Sequence, residues 1–311
     1  MTTTSTIPAA DGRPISVHEW TPERDPRAVV VIAHGMAEHA RRYEALAADL
    51  TAAGYAVLAH DHLGHGEGAE LRGWFAERDG WATVVDDMRR VVAHAHERWP
   101  DQPVVLLGHS MGSLLARQYV IDDASDVDAL VLSGTAVDPG IVGRVGRLVA
   151  GAEARVRGSR HPSRLMNRLT FGSYNKGTAG RTEFDWLSRD EAVVDDYIED
   201  PLSGSVHSSG FFVDLLGGVA TINRRASIAR VRTDLPIYVV AGEADPVGGK
   251  DAKGVQAAAA QLRKVGVRDV TTTIYPEARH ELLNETNRDE VTADVIAWLD
   301  AHLTDSTKGV A

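Results

Sequence analysis

Val104-Val105-Leu106-Leu107-Gly108-His109-Ser110-Met111-Gly112-Ser113-Leu114-Leu115-Ala116 is the stretch on which the reading of this chain turns. A β-branched and apolar run, a Gly-x-Ser-x-Gly turn and an apolar stretch of helical period predict strand, sharp turn and helix, with Ser110 at the apex. Such a turn puts Ser110 in a strained backbone conformation and leaves no room for a Cβ at Gly108 or Gly112. The hydroxyl then stands at a helix N-terminus, where free N–H groups and the helix dipole favour a developing negative charge. In a chain with 29 glycines the pentapeptide alone also suits a surface turn. Its meaning therefore depends on what lies upstream and downstream.

Upstream, residues 14–20 alternate as a short antiparallel edge strand should, and 28–33 and 55–59 are continuous apolar runs suited to strands buried on both faces. Residues 42–53 and 81–99 between and after them have helical period. Downstream come a helix at 114–121 and a strand at 129–134. The rhythm then stops from about 135 to 230, where only helical spacing appears. It resumes with strands at 235–240 and 270–275 and helices at about 251–264 and 287–303. Strands alternating with helices predict an α/β fold with a mostly parallel, doubly wound sheet. The core comprises residues 1–134 and 231–311, and 135–230 form a helical insertion.

A net charge of −11 argues against nucleic acid or an anionic membrane as the main partner. There is no cysteine, which excludes disulfides, thiolate metal sites and a cysteine nucleophile. Residues 1–13 have neither a basic nor an apolar leader region, and no apolar run approaches the ~18 residues of a membrane span. These features predict a soluble cytoplasmic protein without stable membrane insertion. The glycine-rich loop at 60–68 holds His60, Asp61, His62 and His65, which resemble metal ligands, but its glycines suit a tight turn better, and no metal is expected there.

Acyl transfer needs a nucleophile, a base, an acid that holds the base, and N–H donors for the oxyanion. Ser110, Asp245 and His280 supply the first three in the order Ser, Asp, His. Asp245 and His280 follow two later strands, whose C-terminal ends share one sheet edge with Ser110. Glu243 is the rival acid, disfavoured because a strand-end side chain points to a fixed face while a loop residue turns freely. His34, His39 and His109 flank the site and read as structural hydrogen-bonders, and Glu281 as a packing or surface carboxylate. The backbone N–H groups of Met36 and Met111 are the candidate oxyanion donors.

The segments His34-Gly35-Met36-Ala37-Glu38-His39 with Arg42-Tyr43, Asp61-x-x-Gly64-His65-Gly66, Gly108-His109-Ser110-Met111-Gly112, Gly242-x-x-Asp245 and Tyr275-x-x-x-Arg279-His280-Glu281 together resemble the α/β-hydrolase fold. Within that fold they resemble the monoacylglycerol lipase and lysophospholipase-like branch, catalogued with serine aminopeptidases of type S33. The resemblance implies that the insertion is a cap over the active site, that Ser110, Asp245, His280, Met36 and Met111 take the roles already argued, and that no cofactor is needed. Leu63 stands where the branch commonly has Arg, which removes any ion pair made there.

Four of the five phenylalanines, at 171, 184, 211 and 212, lie in the insertion, as does Trp186. Phe171, Phe184, Trp186, Phe211 and Phe212 are candidates to hold an acyl chain, or they form the insertion's own core. Between 141 and 170 seven arginines face Glu153 alone. They either attract an anionic headgroup, or form a solvated face, or pair with the acidic stretch 181–200. The expected activity is serine hydrolysis of a small-molecule carboxylic ester, such as a monoacylglycerol or lysophospholipid. An amidase or aminopeptidase on the same triad and a non-catalytic ligand-binding protein are the alternatives. Acyl length, leaving group and oligomeric state have no signal in the sequence.

Overall fold

The computed structural model describes residues 2–303. Eight strands form one sheet: β1 (Thr2–Pro8), β2 (Pro14–Trp20), β3 (Val29–Ala33), β4 (Ala56–His60), β5 (Val104–His109), β6 (Ala129–Ser133), β7 (Ile237–Gly242) and β8 (Val270–Tyr275). Their order is β1-β2-β4-β3-β5-β6-β7-β8. The β1–β2 and β2–β4 pairs are antiparallel and every other pair is parallel, with Ala33 beside Gly108 and His109 beside Ser133. The central strands β3 to β7 are fully buried, as a parallel sheet covered on both faces requires.

Alternate residues of these strands feed two cores. Val29, Val31, Leu58 and Leu106 face α2 (Gly80–Arg98) and α3 (Met111–Asp122), while Val30, Ile32, Val57 and Leu107 face α1 (Glu44–Ala52) and α10 (Arg288–Leu303). The period of two thus places every central strand between helical layers. β1 has no such signal, because its residues are almost all exposed and nothing selects an apolar alternation. Its threonines suit a strand, and pairing from Thr2 with Trp20 to Pro8 with Pro14 fixes it on the edge.

Between β6 and β7 lie α4 (Ile141–Arg157), α5 (Arg164–Phe171), α6 (Glu191–Glu199), α7 (Ser209–Ile222) and the short α8 (Arg225–Ile228). This is the interruption expected from the sequence, and it contains no strand among the described residues. α7 is its inner member, packed against α4 on one side and α2 and α3 on the other. α9 (Lys253–Lys264) then returns the chain to the sheet between β7 and β8. No helix among the described residues is long and apolar enough to cross a membrane.

Candidate active site

Ser110 joins β5 to α3 with φ 50° and ψ −119°, the strained apex expected of the turn. A Cβ on Gly112 would lie 2.0 Å from the Ala33 carbonyl oxygen, and one on Gly108 would lie 2.5 Å from that of Gly112. Only glycine lets β5, α3 and β3 come this close. The Ser110 N–H donates to Ser133 O at 2.9 Å, which ties the apex to the neighbouring strand.

Asp245 and His280 emerge from loops after β7 and β8 and meet at this apex. His280 Nε2 lies 2.8 Å from Ser110 Oγ, and His280 Nδ1 lies 2.9 Å from Asp245 Oδ2. A carboxylate on Nδ1 requires the proton there, which leaves Nε2 free to accept from the serine hydroxyl. The other Asp245 oxygen accepts from Val247 N–H at 2.8 Å, so the acid is itself held. Glu243, the rival acid, is exposed, whereas Asp245 is buried against His280. Burial works against a charged imidazole at His280, but the Asp245 carboxylate, with Glu281 and Glu38 beyond it, outweighs that and raises its pKa above the ordinary value.

The neighbouring histidines hydrogen-bond to groups other than Ser110. His109 Nδ1 sits 3.1 Å from Ser133 Oγ, His39 Nε2 lies 2.7 Å from Asp200, and His34 Nδ1 donates to Gly35 O at 2.7 Å. Burial lowers the His109 pKa to about 3, so it stays neutral beside His280. In the glycine-rich loop His60, His62 and His65 are all buried, and His65 Nε2 meets His207 Nε2 of the insertion at 3.1 Å. Leu63 packs partly buried against the core. Glu281, read from sequence as a packing or surface carboxylate, is buried and paired with Arg42 at 2.6 Å.

Ser110 and His280 open onto a cavity of about 1100 Å³ between the sheet edge and the insertion. Met36 and Met111 line it next to Ser110, and Phe171, Phe184 and Trp186 also line it, Trp186 with its ring 5.1 Å from that of His280. Phe211 and Phe212 do not. They are 0% and 1% exposed, and Phe211 packs on Phe75 and His207 at ring separations of 4.5 and 4.1 Å. Their inward placement corrects the expectation that they hold substrate: α7 is buried on two sides, and it turns Leu215, Leu216 and Val219 to the cavity instead. Those three were missed: with Phe211 and Phe212 they form one apolar stripe along α7, of which only the later turns reach the cavity. Tyr174 and Tyr197, which belong with the aromatics of the insertion, are also on the cavity wall.

A parallel sheet with a serine elbow, followed along the chain by an acid and a histidine at its C-terminal edge, defines an α/β-hydrolase. The family model described as serine aminopeptidase, S33, matches residues 24–287. The chain belongs to that family. It is 33% identical to a monoacylglycerol lipase of Mycolicibacterium smegmatis, covering 91% of this chain and 92% of that protein. It is 30% identical to monoglyceride lipase of Mus musculus, covering 89% of this chain and 82% of the relative. Among solved structures, a thermostable carboxyl esterase from Bacillus coagulans in complex with glycerol superposes with a TM-score of 0.89 at 27% identity, over 97% of this chain and 99% of the other.

Proposed function

We propose that the protein is a serine hydrolase of small carboxylic esters, of the monoacylglycerol or lysophospholipid kind, working through an acyl-Ser110 intermediate. The observation that carries this reading is the hydrogen-bonded line Asp245–His280–Ser110 opening onto a cavity walled largely by apolar side chains. Ser110 Oγ attacks the ester carbonyl while His280 Nε2 takes its proton, Asp245 holds the imidazole and balances its charge, and the Met36 and Met111 N–H groups receive the oxyanion. His280 then returns the proton to the leaving alcohol, and water enters by the same steps in reverse order to release the acid.

In this reading residues 135–230 are a cap on a core made of 1–134 and 231–311, of which Met1 and 304–311 lie outside the described residues. Phe171, Phe184 and Trp186 flank the acyl chain. Similarity to the mycobacterial and mouse lipases supports the substrate class. A cytoplasmic setting belongs to the same reading, supported by a chain of 311 residues without cysteine.

The test is hydrolysis of p-nitrophenyl esters from acetate to palmitate and of monoacylglycerols, with Ser110→Ala beside the wild type. Activity with an optimum in chain length, falling by at least about 10⁴-fold in the variant, is expected. A wild type that turns over no ester overturns the reading.

A further inference from the structure

The loop after β3 has a conformation that its own sequence does not secure. Ala37, next to the oxyanion donor Met36, has φ 60°, a left-handed value that costs energy in any residue with a Cβ. Two donors hold it there. The Tyr197 hydroxyl and the Gly204 N–H each donate to Ala37 O at 2.9 Å, and both come from the segment between β6 and β7.

The rest of the loop is fastened from the other side. The Gly35 N–H donates to Glu38 Oε1, which also accepts from the Tyr43 hydroxyl at 2.9 Å. Arg42 bridges Glu38 Oε2 at 2.9 Å to both oxygens of Glu281 at 2.6 and 2.8 Å, and Glu281 adjoins His280. The guanidinium lies 4.8 Å from the centre of the Tyr197 ring. One side chain of the insertion thus touches both fastenings, through its hydroxyl and through its ring face. The carboxylates of Glu38 and Glu281 are buried, so the arrangement is held by fixed charges rather than by solvent.

We propose that Tyr197 is a positioning residue for acyl transfer: its hydroxyl locks Ala37 in the left-handed conformation that aims the Met36 N–H, so the oxyanion hole is complete only while this part of the insertion sits on the core. The proposal rests on the acyl-serine reading above. A donor must meet the oxyanion at hydrogen-bond distance to stabilise it, and a loop released at Ala37 lets the adjoining Gly35–Met36 peptide, which carries the Met36 N–H, rotate away.

Tyr197→Phe tests it, because the ring over Arg42 and its 5.0 Å packing on Phe184 are kept and only the hydroxyl is lost. With p-nitrophenyl butyrate kcat is expected to fall about tenfold while KM stays within about twofold, less than the loss from deleting a donor outright. The rate of fluorophosphonate labelling of Ser110 falls by the same factor, since phosphonylation builds the same charge, and the melting temperature changes little. Adding Ala37→Gly to Tyr197→Phe restores at least about threefold, because glycine holds a positive φ without the hydroxyl.

An unchanged kcat, a loss no larger than the unfolded fraction, or a double variant no faster than Tyr197→Phe overturns the proposal. If the wild type hydrolyses no ester but Ser110 is labelled, the ester reading fails and the ratio of labelling rates still decides the role of Tyr197. If Ser110 is not labelled, both fall.

Discussion

The two parts of the segment between β6 and β7 are held in different ways. Residues 182–208 are joined to the core by buried bonds: Arg279 donates to the carbonyls of Asp185 and Ser188 at 2.6 and 2.8 Å, and Glu281 N–H donates to Leu187 O at 2.8 Å. Arg189 pairs with the fully buried Glu285 at 2.9 Å. Helix α4 rests chiefly on α7, and α4 and α5 present Leu148, Val156 and Leu169 to solvent at 74%, 85% and 61% exposure. The turn between them meets the loop before α2 through exposed contacts, Arg160–Glu70 at 3.5 Å and Ser159 Oγ to Glu77 at 3.3 Å, and through Arg160 over the Trp74 ring at 4.2 Å. The part that touches His280 and Ala37 is therefore fixed by the same bonds that fix the catalytic loop, whereas the outer wall of the cavity is free of that constraint. The fixed part holds the loops beside His280 and Ala37 and also gives the cavity Phe184 and Trp186, while α4 and α5 add the outer stretch of its wall.

The strongest way to break this contrast is Arg279→Ala. It strands two carbonyls and unties residues 185–188, whose Trp186 ring lies 5.1 Å from that of His280. Losing two charge-assisted bonds of about 1.5–3 kcal/mol each is expected to lower kcat/KM about 100-fold. Steady-state kinetics check it, and a loss under threefold would show that the fixed part does not steer His280.

Acid sharpens the contrast next. Burial holds His60 and His65 at about 4, and pushes His34, His62 and His207 below their ordinary value. Unfolding lets each take up a proton near pH 6.5, so the stability they permit is complete above that pH and is lost as pH falls towards 4. The slope reaches about 1.4 kcal/mol per pH unit for each group. Thermal melts are expected to drop steadily from pH 7 to 5, and a flat profile would remove this seam between His65 and His207 from the account. Activity fails sooner, because a raised His280 pKa puts the acid limb of kcat/KM above 6.5.

The smallest effect belongs to the outer part. Arg168 is exposed and lines the cavity. Arg168→Glu is expected to raise KM about threefold for an anionic ester and leave a neutral one unchanged, because exposed charge pairs are worth under about 1 kcal/mol. An equal change in KM for both esters would leave the arginines of α4 and α5 as a solvated face.

What the sequence made legible follows from how locally each feature is encoded. The β5–Ser110–α3 turn is written in thirteen consecutive residues, and Asp245 and His280 are marked by the strands they follow. Phe211 and Phe212 misled because they lie on the same apolar stripe of α7 as Leu215, Leu216 and Val219, and helical period does not say which turns of that stripe meet the cavity. The pairing of Arg42 with Glu281 spans 239 residues, so neither shows in the other's neighbourhood. Arg181 pairs with Asp195 within its own stretch at 2.6 Å, a choice that charge counting over the insertion left open.

Gly35 sets a practical limit on redesign. A methyl group there would sit 2.6 Å from Glu38 Oε1 and 3.2 Å from Ser110 Cβ, prising the nucleophile away from its buried acidic neighbour. A library meant to retune acyl preference has space to explore along α4, at Val142, Val145 and Val149, where side chains reach the cavity from the less tethered wall. At residue 35 a single carbon would consume the tolerance of the whole site.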